Sequence, residues 1–509
     1  PEYATAVKTA TPGRILLDIK RSGKFKARAV KQGFKEDKAT ADGPDFNYYS
    51  NVVKLDAVRL AMFKRRKHGR LMGIKDVSTA FLQSNKYGHG KYKIVCFRNP
   101  LTGEWMYYRQ YGPIYGEASA PVRWETTIAP WLEFIGFTRG ENEPGIFYHF
   151  EKDLLILLYV DDIYAEGYEE DVNWIFYELG ERFDCKDADF IVPGSTNDYL
   201  GMNVIHTGDH LYLSMESYID NTIDILELHD HRKASTPINN PIDTETAPLP
   251  PWKHKRFLTA LGMLGWLAMT VRLDVAYAYS RIAQHCATST ESALATVYKT
   301  FAYLRDTKNL CLSAQIFDGD IDTYDLAKLQ GEVINNFRFL VDADHAGNQE
   351  VQNKRKSQNG ELGLINETPF YWYSKTSSVA FASAAIGEAH ADTSSGAVET
   401  YAAGNATQNI LGRSYVAEEM GMSFPLPFTL EMDNDAARIF CQGSAQKTKL
   451  KHIDCRQEWV RTLRDRNVMI PKHIPTKENF ADIFTKILDK NTFEHLRDQL
   501  MHPYTPDKI

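Results

Sequence analysis

The sequence predicts a multidomain protein of α/β and α+β architecture. Three observations lead there. The chain has 509 residues, room for about three or four domains of ordinary size. Strand-like and helix-length stretches alternate in its N-terminal part, until a proline-rich break near residue 240 gives way to helical periodicity. Beyond residue 336, strands are followed by alternating helices and strands, the order of a mixed α/β domain. At 43% apolar and 25% charged residues the composition is that of a globular protein. No segment approaches the roughly 20 apolar residues of a membrane span, so no membrane partner is expected.

The elements follow in order. Ile15–Ile19 and Phe25–Val30 flank the turn-forming Arg21-Ser22-Gly23-Lys24, which predicts a hairpin. Residues 55–68 read as a helix, with Lys64-Arg65-Arg66-Lys67 at its end, where positive charge suits the dipole. Residues 71–77 form a strand running into Asp76, and 168–182 a helix. Tyr199–Ile205 and His210–Leu213 are strands, and 216–228 a short helix. Five prolines between 234 and 251 mark a linker. Helical stretches are expected at Phe257–Thr270, Asp274–Cys286 and Ala293–Leu304. Strands at Phe339–Asp342, Gly360–Ile365, Phe370–Tyr373 and Phe428–Asp433, a helix from Ser394 to Leu411, and helices around Trp459 and Phe484 complete the reading.

Charge is unevenly spread. Residues 1–70 hold 17 Lys and Arg against 7 Asp and Glu, which leaves −17 on the remainder of a chain whose total is −7. A basic segment on an acidic body predicts a localised phosphate-binding surface. Charge alone leaves nucleic acid, nucleotide and anionic membrane open. Six scattered cysteines contain no CxxC pair, which argues against a zinc ribbon and for a reducing, intracellular setting. The start, Pro1-Glu2-Tyr3, reads as a processed or excised product without a signal peptide.

The most informative stretch is Tyr159-Val160-Asp161-Asp162, between the apolar run Leu154–Leu158 and Ile163-Tyr164-Ala165. Acids are depleted from strands and seldom buried alone. An arbitrary Asp-Asp is usually a solvated turn, but here an apolar approach, an aromatic ring and a double acid coincide. Carboxylate oxygens suit Mg²⁺, which commonly joins one or two carboxylates to substrate phosphates. Asp76, at the end of another expected strand, supplies a third acid. Such a clamp suits two-metal phosphoryl transfer.

Three motifs then carry a family resemblance. Asp76-Val77-Ser78-Thr79-Ala80-Phe81-Leu82-Gln83 resembles the DVKTAFLNG motif of copia-type (Pseudoviridae) LTR-retrotransposon reverse transcriptases. Phe25–Phe34 resembles their YKARLVAKGF, and Tyr159–Asp162 their YVDD box. The resemblance implies a right-hand polymerase joined to a ribonuclease H-like domain. It implies fingers and palm at 1–205, thumb at 206–245, connection at 246–335, ribonuclease H at 336–495 and a C-terminal tail at 496–509. Asp76, Asp161 and Asp162 become the polymerase metal ligands, with Val77 counted beside them. Lys26 and Arg28 would contact the incoming triphosphate, and Phe81 would exclude a ribose 2′-hydroxyl by its bulk. Tyr115 and Gly116 would line the nucleotide pocket. The chain departs from the family's LYGLKQSPRAW at Ile114–Pro121: Tyr115, Gly116, Pro121 and Trp124 remain, but Ala118-Ser119 replaces Lys-Gln. Leu258–Arg281 resembles the family's YREAVGSLMYLATTRPDIAYAVS.

A second acid set lies downstream. Val341–Gly347 resembles YTDADWAG, Ser394–Ala403 resembles SSTEAEYMA, Glu431–Ala437 resembles CDNQGA, and Pro475–Lys486 resembles VPTEDQLADIFTK. These imply Asp342, Glu399, Asp433 and Asp482 as ribonuclease H metal ligands, with Asp482 near the start of the last helix. No clear equivalent of the flexible histidine of some ribonucleases H is found. Thr448–Asp454 resembles RTKHIDIRYH. Lys64, Arg65, Arg66, Lys451 and His452 are the expected nucleic-acid contacts.

The resulting expectation is an RNA-directed DNA polymerase, also DNA-directed, with ribonuclease H activity. It would use two Mg²⁺ per centre (Mn²⁺ as the alternative), an RNA template, a DNA primer, dNTPs and the RNA–DNA hybrid, in cytoplasmic virus-like particles, with a homodimer left open. The competing reading is a domesticated, non-catalytic nucleic-acid-binding protein that keeps the fold. It predicts primer–template binding without dNTP incorporation. The presence of all seven expected metal acids favours the enzyme.

Overall fold

The computed structural model describes residues 8–19, 25–37, 42–43, 45–67, 69–243, 245–316, 334–344, 356–380, 392–435, 438 and 451–504. The chain divides into two compact units, residues 1–54 with 69–190, and residues 55–68 with 191–509.

In the first unit, β1 (Thr11–Ile19) and β2 (Phe25–Lys31) form the expected antiparallel hairpin. β1 then joins β4 (Lys93–Arg98) in parallel, and β4 pairs with β5 (Trp105–Gln110). The second sheet is built from β3 (Arg70–Asp76), β6 (Thr138–Arg139), β7 (Ile146–His149), β8 (Leu154–Tyr159), β9 (Asp162–Tyr168) and β10 (Asp189–Ile191), in the order β10-β3-β9-β8-β7-β6. The apolar run Leu154–Leu158 is buried along its whole length, as its unbroken pattern predicts. Helices Ala120–Phe134 and Glu169–Arg182 contribute Ile128, Leu132, Val172, Ile175 and Leu179 to the same core as Leu154, Ile156 and Ile163.

In the second unit, β11 (Thr196–Tyr199), β12 (Met202–His206), β13 (His210–Ser214), β14 (Leu310–Gln315) and β20 (His502–Pro503) form one sheet in that order. Helices Glu216–Leu226, Pro251–Thr270, Ala276–Ala283 and Glu291–Asp306 intervene between β13 and β14. The other sheet contains β15 (Phe337–Asp344), β16 (Lys356–Ile365), β17 (Thr368–Ala380), β18 (Phe428–Met432) and β19 (Met469–His473), ordered β17-β16-β15-β18-β19. The first three strands pair antiparallel, and β18 and β19 join in parallel. The mixed α/β and α+β expectation holds.

Several finer expectations do not. The boundary at 205/206 falls inside β12, and β14 returns to the same sheet from the stretch assigned to the connection. The region 496–509 is not a free tail from its start. Helix Lys490–Leu500 crosses that boundary with Leu496 and Leu500 buried, and His502 pairs with Cys311. The proline-rich 234–251 segment is packed rather than loose, with Ile238, Ile242 and Leu249 buried.

The basic cluster after the first helix is also corrected. That helix ends at Phe63, and Lys64 and Arg66 are buried. The Arg66 guanidinium donates to the carbonyls of Ala61, Met62 and Lys64. Carbonyls in a helix's last turn lack partners within the helix, and Arg66 satisfies them. It therefore offers no phosphate contact. The main-chain N–H of Arg65, half-buried, donates to Asn335 Oδ1. Earlier in the helix, Arg59 donates to the carbonyls of Met269, Thr270 and Phe370 and stacks on Trp372 at 3.8 Å. Arg272 and Asp274 form a fully buried bidentate pair, with the Tyr303 hydroxyl donating to Asp274 at 2.6 Å. The charges on these arginines are spent inside the unit.

Candidate active centres

The first centre is set by strand register. β3 and β9 run antiparallel with Asp76 directly across from Asp162. β8 and β9 close on the pair Tyr159 and Asp162, which leaves Val160-Asp161 as a two-residue turn. Val160 has φ +55°, a conformation that a β-branched residue rarely adopts. Its carbonyl accepts from the buried Trp124 Nε1 at 2.6 Å, and the Asp161 carbonyl accepts from Val77 N at 2.8 Å. The turn is thus tied to the helix below and to the residue that follows Asp76. Val77 carries no side-chain donor atom and its N–H is used here. Only its carbonyl oxygen remains for the ligand role expected of it.

A cation already neutralises part of this site. Lys186 Nζ lies 2.6 Å from Asp76 Oδ2, and its backbone N donates to the Asp76 carbonyl at 2.9 Å. Both side chains are partly exposed, at 57% for Lys186 and 31% for Asp76. Burial pushes the Asp161 carboxyl up from its ordinary range; Asp76 adds to the rise, while Lys186 and Arg28 oppose it.

Around these acids stand the residues expected to hold a nucleotide. The Phe81 and Tyr115 rings meet edge to face at 5.3 Å, and the Arg28 guanidinium lies 5.5 Å from the Tyr115 ring centre. Burial raises the Tyr115 hydroxyl pKa, and nearby Asp161 adds to the rise. Gly116 has φ +79°, and a Cβ there would overlap the Lys31 carbonyl of β2. Glycine is required by both conformation and space. Lys26 is half-buried on the same face of β2 as the exposed Arg28, opposite Asp18. Phe81, Tyr115, Gly116 and Arg28 therefore gather at one place near Asp161.

The second centre is tighter. Asp342 lies in β15, Asp433 directly follows β18, and Asp482 sits on a 3₁₀ turn, Phe480–Phe484, rather than at the start of a helix. One carboxylate oxygen from each falls within 4.8 Å of the others. Asn479 ties the acids together, donating to the Val341 carbonyl and to Asp433 Oδ1, both at 3.3 Å. The Thr485 hydroxyl donates to Asp342. Lys486 Nζ lies 2.8 Å from Asp482 and 3.2 Å from Asp342. Burial and the adjacent Asp342 push the Asp482 carboxyl up to about 7. The same two acids raise the Lys486 pKa against the opposing effect of its burial. Gly360 in β16 has no room for a Cβ, since Thr485, Ala481 and Phe484 press against it. This close approach sets Asp482 beside Asp342.

Three clustered, mostly buried carboxylates are hard oxygen donors and fit Mg²⁺ or Mn²⁺. In the first centre the carboxylates likewise offer oxygen donors. Glu399 lies on helix Asp392–Glu419, but its side chain falls outside the described residues. So do the side chains of Lys451 and His452, on helix Lys451–Asp465.

Sequence reasoning missed Lys186 and Lys486, each bonded to an expected metal ligand. It also missed His473, the last residue of β19, which pairs with Met432 just before Asp433. Its Nε2 is 4.0 Å from Asp435 Oδ2. Lys186 is 110 positions from Asp76, so no local pattern marks the pair. His473 is brought beside Asp435 by the parallel pairing of β18 and β19.

Residues 14–240 match the family model described as reverse transcriptase (RNA-dependent DNA polymerase). The chain is 24% identical over 491 residues to the retrovirus-related Pol polyprotein from transposon TNT 1-94 of Nicotiana tabacum, covering 92% of this chain and 34% of the relative. It is 22% identical over 497 residues to the corresponding polyprotein from transposon RE1 of Arabidopsis thaliana, covering 94% of this chain and 30% of the relative. The chain thus spans about a third of the length of these curated relatives. Among solved structures, the foamy viral protease-reverse transcriptase in complex with RNA/DNA hybrid aligns over 94% of this chain and 74% of its own, at 12% identity and a TM-score of 0.34. That likeness is too distant to bear on the architecture described above.

Proposed function

Because this chain carries the reverse transcriptase domain of the copia-type LTR retrotransposons, we propose that it copies an RNA template into DNA from dNTPs and cleaves the RNA strand of the resulting hybrid. The observation that carries the polymerase reading is the register that sets Asp76 across from Asp162 with Asp161 on the turn beside them. The cleavage reading rests on the clustered oxygens of Asp342, Asp433 and Asp482.

When bound, paired Mg²⁺ ions would stabilise the attacking and leaving oxygens of an in-line displacement. Asp76, Asp161 and Asp162 would hold them in the first centre, with the Val77 carbonyl. Asp342, Asp433, Asp482 and Glu399 would do so in the second. The protein's own groups bind and orient. Arg28, with Lys26 on the same strand face, offers positive charge to a triphosphate. The Phe81 ring, packed on Tyr115, offers a wall under the sugar that a 2′-hydroxyl would strike. Lys186 balances Asp76 between turnovers. In the second centre Asn479 fixes Asp433, and Lys486 offsets the paired Asp342 and Asp482.

Primer extension tests the reading directly. Purified protein with Mg²⁺, an RNA template, a DNA primer and dNTPs is expected to lengthen the primer, and a 5′-labelled RNA in hybrid to be cut. Wild-type protein that binds primer–template but incorporates no dNTP overturns the polymerase reading. An intact RNA strand after prolonged incubation overturns the nuclease reading.

A further inference from the structure

Two residues beyond Tyr115, the Glu117 side chain is fully buried. Its Oε1 accepts from Lys93 Nζ and Ser119 Oγ, each at 2.8 Å. Its Oε2 accepts from the Tyr87 hydroxyl at 2.6 Å and from the Gln110 side-chain amide. Lys93 and Gln110 face each other across β4 and β5, so Glu117 fastens the pocket segment to that sheet. The surroundings are charge-balanced. Lys93 also lies 2.8 Å from Asp42 and 3.4 Å from Glu36, Lys31 lies 2.6 Å from Glu36, and Arg123 lies 2.9 Å from Asp42. Carboxylate oxygens of Glu36, Asp42 and Glu117 fall within 4.8 Å of one another, as in a metal site. Here the Lys93 ammonium contacts all three and fills that role.

The other side of the segment is fastened as well. Lys31 N donates to the Tyr115 carbonyl at 2.8 Å and Gly33 N to the Gly116 carbonyl at 3.0 Å. Tyr115-Gly116 is thus held between β2 and the buried carboxylate. The family motif LYGLKQSPRAW has leucine where this chain has Glu117. A leucine would leave Lys93, Tyr87, Ser119 and Gln110 short of a buried acceptor, which is far worse than replacing both partners of a pair.

We propose that Glu117 is the positioning residue of the nucleotide pocket. It holds Tyr115-Gly116, and with it the ring that packs on Phe81, so that it governs nucleotide selection rather than the chemical step. The inference rests on reading the first centre as a dNTP site.

Single-nucleotide incorporation on an RNA template tests it, with wild type, E117L, E117Q and K93M/E117L titrated for active enzyme. E117L is expected to raise KM for dNTP about tenfold, with kcat changed less than about threefold, because ground-state positioning is lost. Its preference for dNTP over rNTP should fall in parallel. E117Q keeps hydrogen-bonding capacity without charge and should lie between E117L and wild type. K93M/E117L leaves Glu36 and Asp42 with Lys31 and Arg123, two acids with two bases, and should recover part of the loss. Unchanged KM and preference in E117L, or a loss confined to the fraction of active enzyme, overturns the inference while wild-type activity upholds the polymerase reading. Wild type that incorporates no dNTP overturns both.

Discussion

The two acid centres are assembled in opposite ways. In the first, a hairpin and an antiparallel neighbour bring Asp76, Asp161 and Asp162 together on strand ends, and Asp76 remains 31% exposed. In the second, a parallel strand and a 3₁₀ turn close over Asp342 and Asp482, whose side chains are 2% and 9% exposed. Each has a lysine bonded to its acids, Lys186 in one and Lys486 in the other. The difference teaches what each lysine is for. In the open centre water already screens the pair of Asp76 and Lys186, so Lys186 adds little to stability. In the closed centre the acids have left water, and Lys486 is part of what makes their burial tolerable.

The largest expected effect separates the two centres outright. Asp161→Asn should lower primer extension by about three orders of magnitude or more, since metal-assisted charge stabilisation supplies several kcal/mol. Hybrid cleavage by that variant should stay within about twofold of wild type, each centre having its own ligands. Asp342→Asn should do the reverse. Gel assays of extension and of labelled-RNA cleavage on the same preparations check both. A variant that loses both activities while remaining folded would mean that the centres are not independent.

A smaller effect tests the roles of the lysines. In chelator, Lys486→Met should cost roughly 2–3 kcal/mol of stability, below the fully buried case because Lys486 is 35% exposed. Added Mg²⁺ should recover most of it, since a cation then replaces the lost ammonium. Lys186→Met should cost about 1 kcal/mol or less, as expected of a partly exposed pair. Denaturant melts with and without Mg²⁺ measure the contrast. Equal losses in the two variants would remove the distinction drawn between the centres.

How far these centres could be read in the sequence follows the same contrast. The hairpin at Tyr159–Asp162 was legible because local rules fix it: an apolar run, a turn and a second strand, with no distant partner required. The expected strand ending at Asp76 was legible for the same reason. Where charge meets main chain, pattern fails. Lys64-Arg65-Arg66 reads as a basic patch, yet Arg66 turns back onto the carbonyls of its own helix. Lys186 was invisible because its acid lies 110 positions away. Lys486 stands four residues from Asp482, but its second partner, Asp342, is 144 positions away. Asp482 was assigned to a helix start because a 3₁₀ turn and a first helical turn share the same apolar spacing. Glu117 lies in the loop that departs from the family motif, and only its four hydrogen-bond partners explain it.

The smallest effect sharpens the comparison through pH. The Asp482 carboxyl rises to about 7 in the fold, by burial and by the neighbouring Asp342, against an ordinary value of 3.8. A carboxyl whose folded pKa lies above its unfolded one binds its proton more tightly in the native state. Its contribution to stability is therefore fully present below about pH 4 and is lost as pH rises through about 7. Metal-free protein should accordingly show a stability term that declines between those limits and is missing in Asp482→Asn, where nothing titrates. Saturating Mg²⁺ should flatten the decline, because ligation favours the same deprotonated carboxylate that the empty fold resists. The difference between wild-type and Asp482→Asn melts across pH 5 to 8, in chelator and in Mg²⁺, isolates this term from every other titrating group. A difference that stays flat across pH 5 to 8 in chelator would mean that Lys486 already neutralises Asp482, so that its carboxyl titrates no higher in the fold than out of it.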